Sequence, residues 1–182
     1  MHGLPHVKEV FLQPGEFHFG GRDTRIRTLL GSCVAITMWH PGLQIGGMCH
    51  YMLPSRMAKP PSEFDGRYAD EAMQLFHRQI RETGTLPGEY QVKFFGGGNM
   101  FNMSTHCTTQ ESSDNVAARN VMAARQLLRD HGHNVVAEHV GMHGHRNVML
   151  DIWSGKVWMR HVKRVLPHRK VDYVEENKCI NS

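Results

Sequence analysis

Two residues, Cys33 and His50, have the types and the spacing of a nucleophile and its base. They lie in two apolar segments that predict β-strands, joined by the turn sequence His40-Pro41-Gly42. A two-residue turn centred between Pro41 and Gly42 places Cys33 directly opposite His50. Residues paired in this way have Cβ atoms about 4.5–5.5 Å apart and share one face of the hairpin.

A thiol and an imidazole at that distance can carry out nucleophilic catalysis. A free cysteine titrates at about pH 8.5, so little thiolate is present at neutral pH. An adjacent imidazole accepts the proton, and the resulting ion pair lowers the pKa of the thiol. Backbone N–H groups at Gly31 and Ser32, just before Cys33, could hold an oxyanion. The alternative is structural, because a cysteine in an apolar strand is often a small buried hydrophobe.

The surrounding elements follow from hydrophobic periodicity. Helices are predicted over residues 68–83 and 115–131, with Ser113 or Asp114 as the cap of the second and with Gly84 and Gly132 as stops. Strands are predicted over residues 7–12, 16–19, 25–30, 33–39, 43–53, 91–95, 134–140, 146–153 and 156–162. This pattern indicates one α/β or α+β domain over residues 1–166, with a mixed or antiparallel sheet. Residues 167–182 are mostly polar and are predicted to form a loose tail.

Composition restricts the function classes. The chain has 182 residues and a net charge of +4, and its basic residues are scattered, which argues against a nucleic-acid binder. Four cysteines without a CxxC pair, no signal peptide and no apolar run of about 18 residues predict a cytoplasmic protein without a membrane span.

Two other features were considered as ligand sites. His139, His143 and His145 could meet a metal, but they fall in a predicted strand and loop, so His139 and His143 do not share a helix face. The glycine run 96–98 lacks the spacing and the lysine of a phosphate loop, which favours a tight turn.

Five ordered segments resemble the CheD family, the chemoreceptor glutamine deamidases of bacterial chemotaxis. Cys33 lies in the first segment and His50 in the second, and the last segment resembles the family's glycine and arginine block. The segments are residues 28–36, 46–54, 93–101, 117–120 and 140–148. The chain departs from the family pattern at Met142, where a second glycine is expected after Gly141.

The resemblance implies a single catalytic domain that hydrolyses receptor glutamines to glutamate and releases ammonia. Cys33 would be the nucleophile, His50 the base, and Thr28 the residue that orients His50, with Arg27 as the alternative position for the third residue. No metal or organic cofactor is implied. The implied fold is a β-sheet sandwich flanked by helices, similar to the cysteine-hydrolase deamidase toxins.

The implied partners are methyl-accepting chemoreceptors and a CheC-type phosphatase. Two other functions stay open. One is a non-catalytic adaptor that binds receptors or the phosphatase, and the other is a thiol hydrolase acting on another substrate such as receptor methyl esters.

Overall fold

The computed structural model describes residues 6–56, 62–100, 115–165 and 172–180. Within these ranges, two α-helices and ten strands form an α+β fold with two five-stranded sheets. The helices are α1 (Ala69–Glu82) and α2 (Val116–Asp130). The strands are β1 (Lys8–Leu12), β2 (Phe17–Gly20), β3 (Thr24–Leu30), β4 (Val34–His40), β5 (Ile45–Tyr51), β6 (Gln91–Gly96), β7 (Asn134–Val140), β8 (His145–Asp151), β9 (Lys156–Val165) and β10 (Asp172–Ile180).

The two sheets form a sandwich with the helices on one outer side. The first sheet has the order β1-β3-β8-β9-β10 and the second has the order β2-β5-β4-β6-β7. Both are mixed, because β1 runs parallel to β3 and β6 runs parallel to β7 while the other pairs are antiparallel. Both helices pack on the second sheet. The order of layers is therefore helices, second sheet, first sheet.

The second sheet separates two hydrophobic cores, because successive strand residues point to opposite faces. Val34, Ile36 and Tyr51 pack toward the helices. Ala35 and Met48 pack toward the first sheet. His50 and the residue before β4, Cys33, have the parity of this second set, so they face the space between the sheets.

Strand β3 shows the same alternation on the other side of that space. Thr28 and Leu30 are buried toward the second sheet. Arg27 points to the opposite, outer face, where its guanidinium pairs with Glu9 at 2.6 Å and the side chain is 48% exposed. Only Thr28 of the two candidate third residues therefore faces His50.

The β4–β5 turn differs from the predicted one. It has four residues, 41–44, closed by a 2.9 Å hydrogen bond from the amide of Gln44 to the carbonyl of His40. The ladder consequently pairs Ala35 with His50, and the prediction that Cys33 lies directly opposite His50 was wrong by two positions. A shift of two residues preserves the face, so Cys33 stays on the same side of the sheet as His50.

The second helix begins at a different cap from the predicted ones. The side chain of Asn115 accepts a 3.0 Å hydrogen bond from the amide of Ala117 and caps α2. Ser113 and Asp114, the predicted caps, lie outside the described residues. The stops were predicted correctly, since Gly84 and Gly132 follow the helices with positive φ angles of 70° and 67°.

The segment predicted as a loose tail contains a strand. β10 runs antiparallel to β9 over Asp172–Ile180 at the edge of the first sheet. An edge strand with one solvated face accepts polar residues, which is why polarity alone was misleading. The ammonium group of Lys93 donates a 2.8 Å hydrogen bond to the carbonyl of Ile180 and joins the end of β10 to the second sheet.

Candidate active site

Thr28 and His50 meet across the interior of the sandwich. The hydroxyl oxygen of Thr28 lies 2.7 Å from Nδ1 of His50 and 2.9 Å from the carbonyl oxygen of Leu12. A carbonyl only accepts, so the single hydroxyl hydrogen goes to Leu12 and a lone pair of the hydroxyl accepts from Nδ1–H of His50. This network assigns the tautomer. The lone pair of the neutral imidazole is therefore on Nε2.

The surroundings of His50 favour the neutral ring. The side chain is 2% exposed, and burial lowers its pKa to about 4, although the Leu12 carbonyl and the Glu16 carboxylate act in the opposite direction. Nε2 is buried and has no hydrogen-bond partner among the described residues. The ring thus offers an unoccupied basic nitrogen in a water-poor space.

Cys33 lies at the entry to β4 and is half-buried. Burial raises the pKa of its thiol, and contact with its own backbone N–H partly lowers it again. The described contacts of His50 and Cys33 include no hydrogen bond between them. The ion pair predicted from the sequence stays a prediction, and burial favours the neutral form of both the thiol and the imidazole.

Cys49 is separated from this site. Its side chain faces the helices, and burial raises the pKa of its thiol to about 12. It neighbours His50 in the chain but points to the other side of β5.

The glycine run 96–98, which begins at the last residue of β6, holds the turn that carries Cys33. The amides of Gly97 and Gly98 donate 2.8 Å hydrogen bonds to the carbonyls of Cys33 and Gly31. A Cβ atom on Gly96 would lie 2.2 Å from the carbonyl oxygen of Cys33, and Gly96 has a φ of +119°. Only glycine allows this approach of two backbones. The run is therefore a support for the Cys33 turn.

The backbone around Cys33 has donors available for an anion. The amides of Ser32 and Cys33 take no part in the hydrogen bonds between described residues outside the regular ladders. The Cys33 amide also lies close to its own sulfur. The carbonyl of Gly31 accepts a hydrogen bond from Gly98, which helps to fix the turn, and the oxyanion role predicted for the Gly31 amide stays a prediction.

Two buried polar residues near this turn were not assigned a role from the sequence. Asn120 of α2 is fully buried and donates to the carbonyls of Ser32, at 3.2 Å, and Met52, at 2.7 Å. Arg146 of β8 is also fully buried, and burial lowers its pKa to about 10. An asparagine inside the predicted helix was the available signal for Asn120, since such residues usually favour caps and turns.

Arg146 supports the loop next to the glycine run. Its guanidinium donates to the carbonyl of Gly141 at 2.7 Å and to Nδ1 of His139 at 2.9 Å. His139 must be neutral to accept that bond, and burial and the Arg146 charge lower its pKa to about 4.

The histidines considered as metal ligands lie in different places. The ring centroid of His139 lies 5.3 Å from that of His161, a residue that was not among the proposed ligands. Two other histidines that precede them in the chain, His131 and His133, lie beside His77 of α1. Among the described residues, no group of three or more His, Cys, Asp or Glu side chains is arranged to hold a metal ion.

Comparison with known proteins gives consistent results. Residues 52–161 match the family model described as CheD chemotactic sensory transduction. A probable chemoreceptor glutamine deamidase CheD of Pseudomonas savastanoi is 53% identical over 155 residues, which are 85% of each chain. A similarly named protein of Pseudomonas fluorescens is 46% identical over 94% of this chain and 93% of its own. In the described part of the chain, no helix has the length and apolar character to cross a membrane.

A further relative, the probable chemoreceptor glutamine deamidase CheD 3 of Dechloromonas aromatica, is 51% identical over 84% of this chain and 87% of its own. The identity and coverage of these relatives, together with the family model, show the family. The chain belongs to the CheD family.

Proposed function

We propose that this chain is a protein-glutamine deamidase that acts on chemoreceptors, with Cys33 as nucleophile, His50 as base and Thr28 as the residue that orients His50. The observation that carries the proposal is the unpartnered Nε2 of His50, on the same face of the sheet as Cys33, with Nδ1 held by Thr28. The names of the relatives support the choice of substrate.

In the proposed mechanism, proton transfer accompanies attack. The neutral states of the thiol and the imidazole mean that Nε2 of His50 removes the thiol proton as Sγ bonds to the carboxamide carbon. The new positive charge on the ring is stabilised by the hydrogen bond from Nδ1–H to Thr28, whose hydroxyl is itself anchored on Leu12. The sulfur needs to approach Nε2 only when substrate is bound.

The attack produces a tetrahedral intermediate that carries an oxyanion. The amides of Ser32 and Cys33 donate to its oxyanion, in the role predicted for Ser32. His50 gives its proton to the departing nitrogen, ammonia leaves, and a thioester remains on Cys33. Nε2 next deprotonates a water molecule that attacks the thioester, and the returned proton restores the thiol as glutamate is released.

The cellular setting is part of the same proposal. The proposed place of action is the cytoplasm, as predicted from the sequence. A CheC-type phosphatase is the proposed protein partner, and binding over the Cys33 turn would block access to the thiol.

The proposal is tested by ammonia release from a cytoplasmic chemoreceptor fragment, with mass spectrometry to locate each glutamine converted to glutamate. Wild-type protein should release ammonia, whereas Cys33→Ala and His50→Gln should not. Cys179→Ser is the matched control, because Cys179 is exposed on β10 and lies outside the site. Binding of the fragment without conversion by folded wild-type protein would instead support the adaptor. Methanol release from a methylated fragment would identify esterase activity.

A further inference from the structure

We propose that Asn120 is a positioning residue that sets the place of Cys33 relative to His50. The inference rests on the proposed function. One nitrogen, Nδ2 of Asn120, donates to the carbonyl of Ser32 at 3.2 Å and to the carbonyl of Met52 at 2.7 Å. Ser32 immediately precedes the nucleophile, and Met52 follows the base by two residues.

Asn120 acts where the β4–β5 ladder ends. The last ladder pair is Val34 with Tyr51. The next two residues, Cys33 and Met52, are therefore not paired with each other in this ladder. The two N–H groups of the Asn120 amide take over this connection, one for each strand. A primary amide supplies two donors on one nitrogen, which neither a carboxylate nor a hydroxyl does.

The residue is itself fixed from the helix side. The hydroxyl of Tyr51 donates a 2.6 Å hydrogen bond to the main-chain carbonyl of Asn120, and both side chains are fully buried. The Cys33 turn is thus held on two sides, by Gly97 and Gly98 on one and by Asn120 on the other. Loss of Asn120 would release one side only.

The amide of Asn120 has one unpaired atom as well as two hydrogen bonds. Oδ1 of Asn120 is buried and has no hydrogen-bond partner among the described residues. An unpaired buried acceptor disfavours the folded state, and an apolar side chain of similar volume would avoid it but would leave the carbonyls of Ser32 and Met52 without their donor. The two donated hydrogen bonds, and therefore the placement they impose, distinguish asparagine from leucine here.

The test compares Asn120→Asp and Asn120→Leu with Asn115→Ala. Asn115→Ala removes the cap of α2 and so weakens the same helix without touching Ser32 or Met52. For each variant we would measure thermal unfolding, kcat and KM for the receptor fragment, and the rate of Cys33 alkylation by iodoacetamide against pH. Alkylation does not depend on deamidase activity, so it tests whether Asn120 fixes the surroundings of the Cys33 thiol even if the substrate assignment is wrong.

Asn120→Asp should lower kcat by about 100-fold with little change in KM, as expected when a reacting group is displaced by about 1 Å. Its alkylation profile should also shift, because the carboxylate repels the two carbonyls. Asn115→Ala should lower the melting temperature while kcat and the alkylation profile stay unchanged. Asn120→Ala replaces either variant that fails to fold. Folded Asn120 variants with wild-type kcat and alkylation would overturn the inference, whereas activity in Cys33→Ala would overturn the proposed function instead.

Discussion

The hydroxyl of Thr28 joins Nδ1 of His50 to the carbonyl of Leu12, with distances of 2.7 Å and 2.9 Å. The proposed base is thus oriented by a neutral group on the opposite sheet. A neutral acceptor fixes the tautomer without adding a buried charge, but it stabilises an imidazolium less than a carboxylate does. This arrangement agrees with the neutral resting histidine.

Thr28→Val should lower kcat by about 10- to 100-fold, the size of effect found when a group that orients a histidine ligand is removed. Valine keeps the shape but leaves Nδ1 of His50 and the carbonyl of Leu12 without their partner, which should also cost about 1–3 kcal/mol of stability. Thr28→Ser should keep most of the activity. Ammonia release and chemical denaturation measure the two effects.

Thr37→Val is the matched control for that loss. Thr37 is as buried as Thr28, and its hydroxyl donates to the carbonyl of Lys93 at 3.1 Å. Its substitution should affect stability but not kcat. Equal losses of kcat in the two variants would show that Thr28 acts only through stability.

Cys33 should behave as a protonated thiol at neutral pH. Burial raises its pKa, and the structure contains no hydrogen bond between Sγ of Cys33 and His50 among the described contacts. The rate of its alkylation, followed by peptide mass spectrometry, should therefore keep rising above about pH 8.5, the ordinary value for a free cysteine. His50→Gln should leave this profile almost unchanged.

A different profile would contradict the neutral pair. If alkylation reached a plateau below about pH 7 and the plateau disappeared in His50→Gln, a resting thiolate–imidazolium pair would be present. Proton transfer would then precede attack. Exposed Cys179, alkylated in the same samples, serves as the internal reference.

The sequence was sufficient to predict that Cys33 and His50 share one face of the sheet, but not which residues pair across the two strands. Strand periodicity predicts the face of a residue, and that face was correct. The turn type determines which residues lie opposite, and Gln44, with a φ of 50°, gives no sequence signal for a four-residue turn. The family resemblance left Thr28 and Arg27 as alternatives, and the alternation of β3 places only Thr28 inside.

Other features depend on contacts between distant segments. Asn120 and Ser32 are 88 positions apart, so no local pattern shows that they bind each other. β10 forms because β9 offers an edge, although its own sequence is polar. Burial of Arg146 also requires the carbonyl of Gly141 and the ring of His139, which the fold supplies.

The protein should lose stability as the pH falls from about 6.5 to about 4. His50, His133 and His139 each have a pKa lowered to about 4 by burial, from an ordinary value of 6.5. Between these values the unfolded chain binds protons that the folded protein does not, so unfolding is favoured. Each group contributes at most about 1.4 kcal/mol per pH unit, and the more exposed His139 contributes less.

Denaturant unfolding at a series of pH values measures this slope. His133→Gln should make the slope shallower, because one titrating group is removed. Met122→Gln, at a residue that is 68% exposed, removes no titrating group and should leave the slope unchanged. A wild-type free energy of unfolding that is constant between pH 6.5 and pH 4 would contradict the lowered pKa values.

Met142→Gly should stabilise the protein. Met142 has a φ of 59°, a left-handed conformation that costs a residue with a Cβ atom about 1–2 kcal/mol. The greater freedom of glycine in the unfolded chain offsets about 0.5–1 kcal/mol of this relief, so we expect a net gain of roughly 0.5–1 kcal/mol. The methionine side chain is 48% exposed, and little packing is lost with it.

Met122→Gly, inside α2, should destabilise by about 1 kcal/mol in the same denaturant experiment. Equal destabilisation by both substitutions would mean that the backbone at Met142 is not strained, and that the departure from the family's glycine costs this chain nothing.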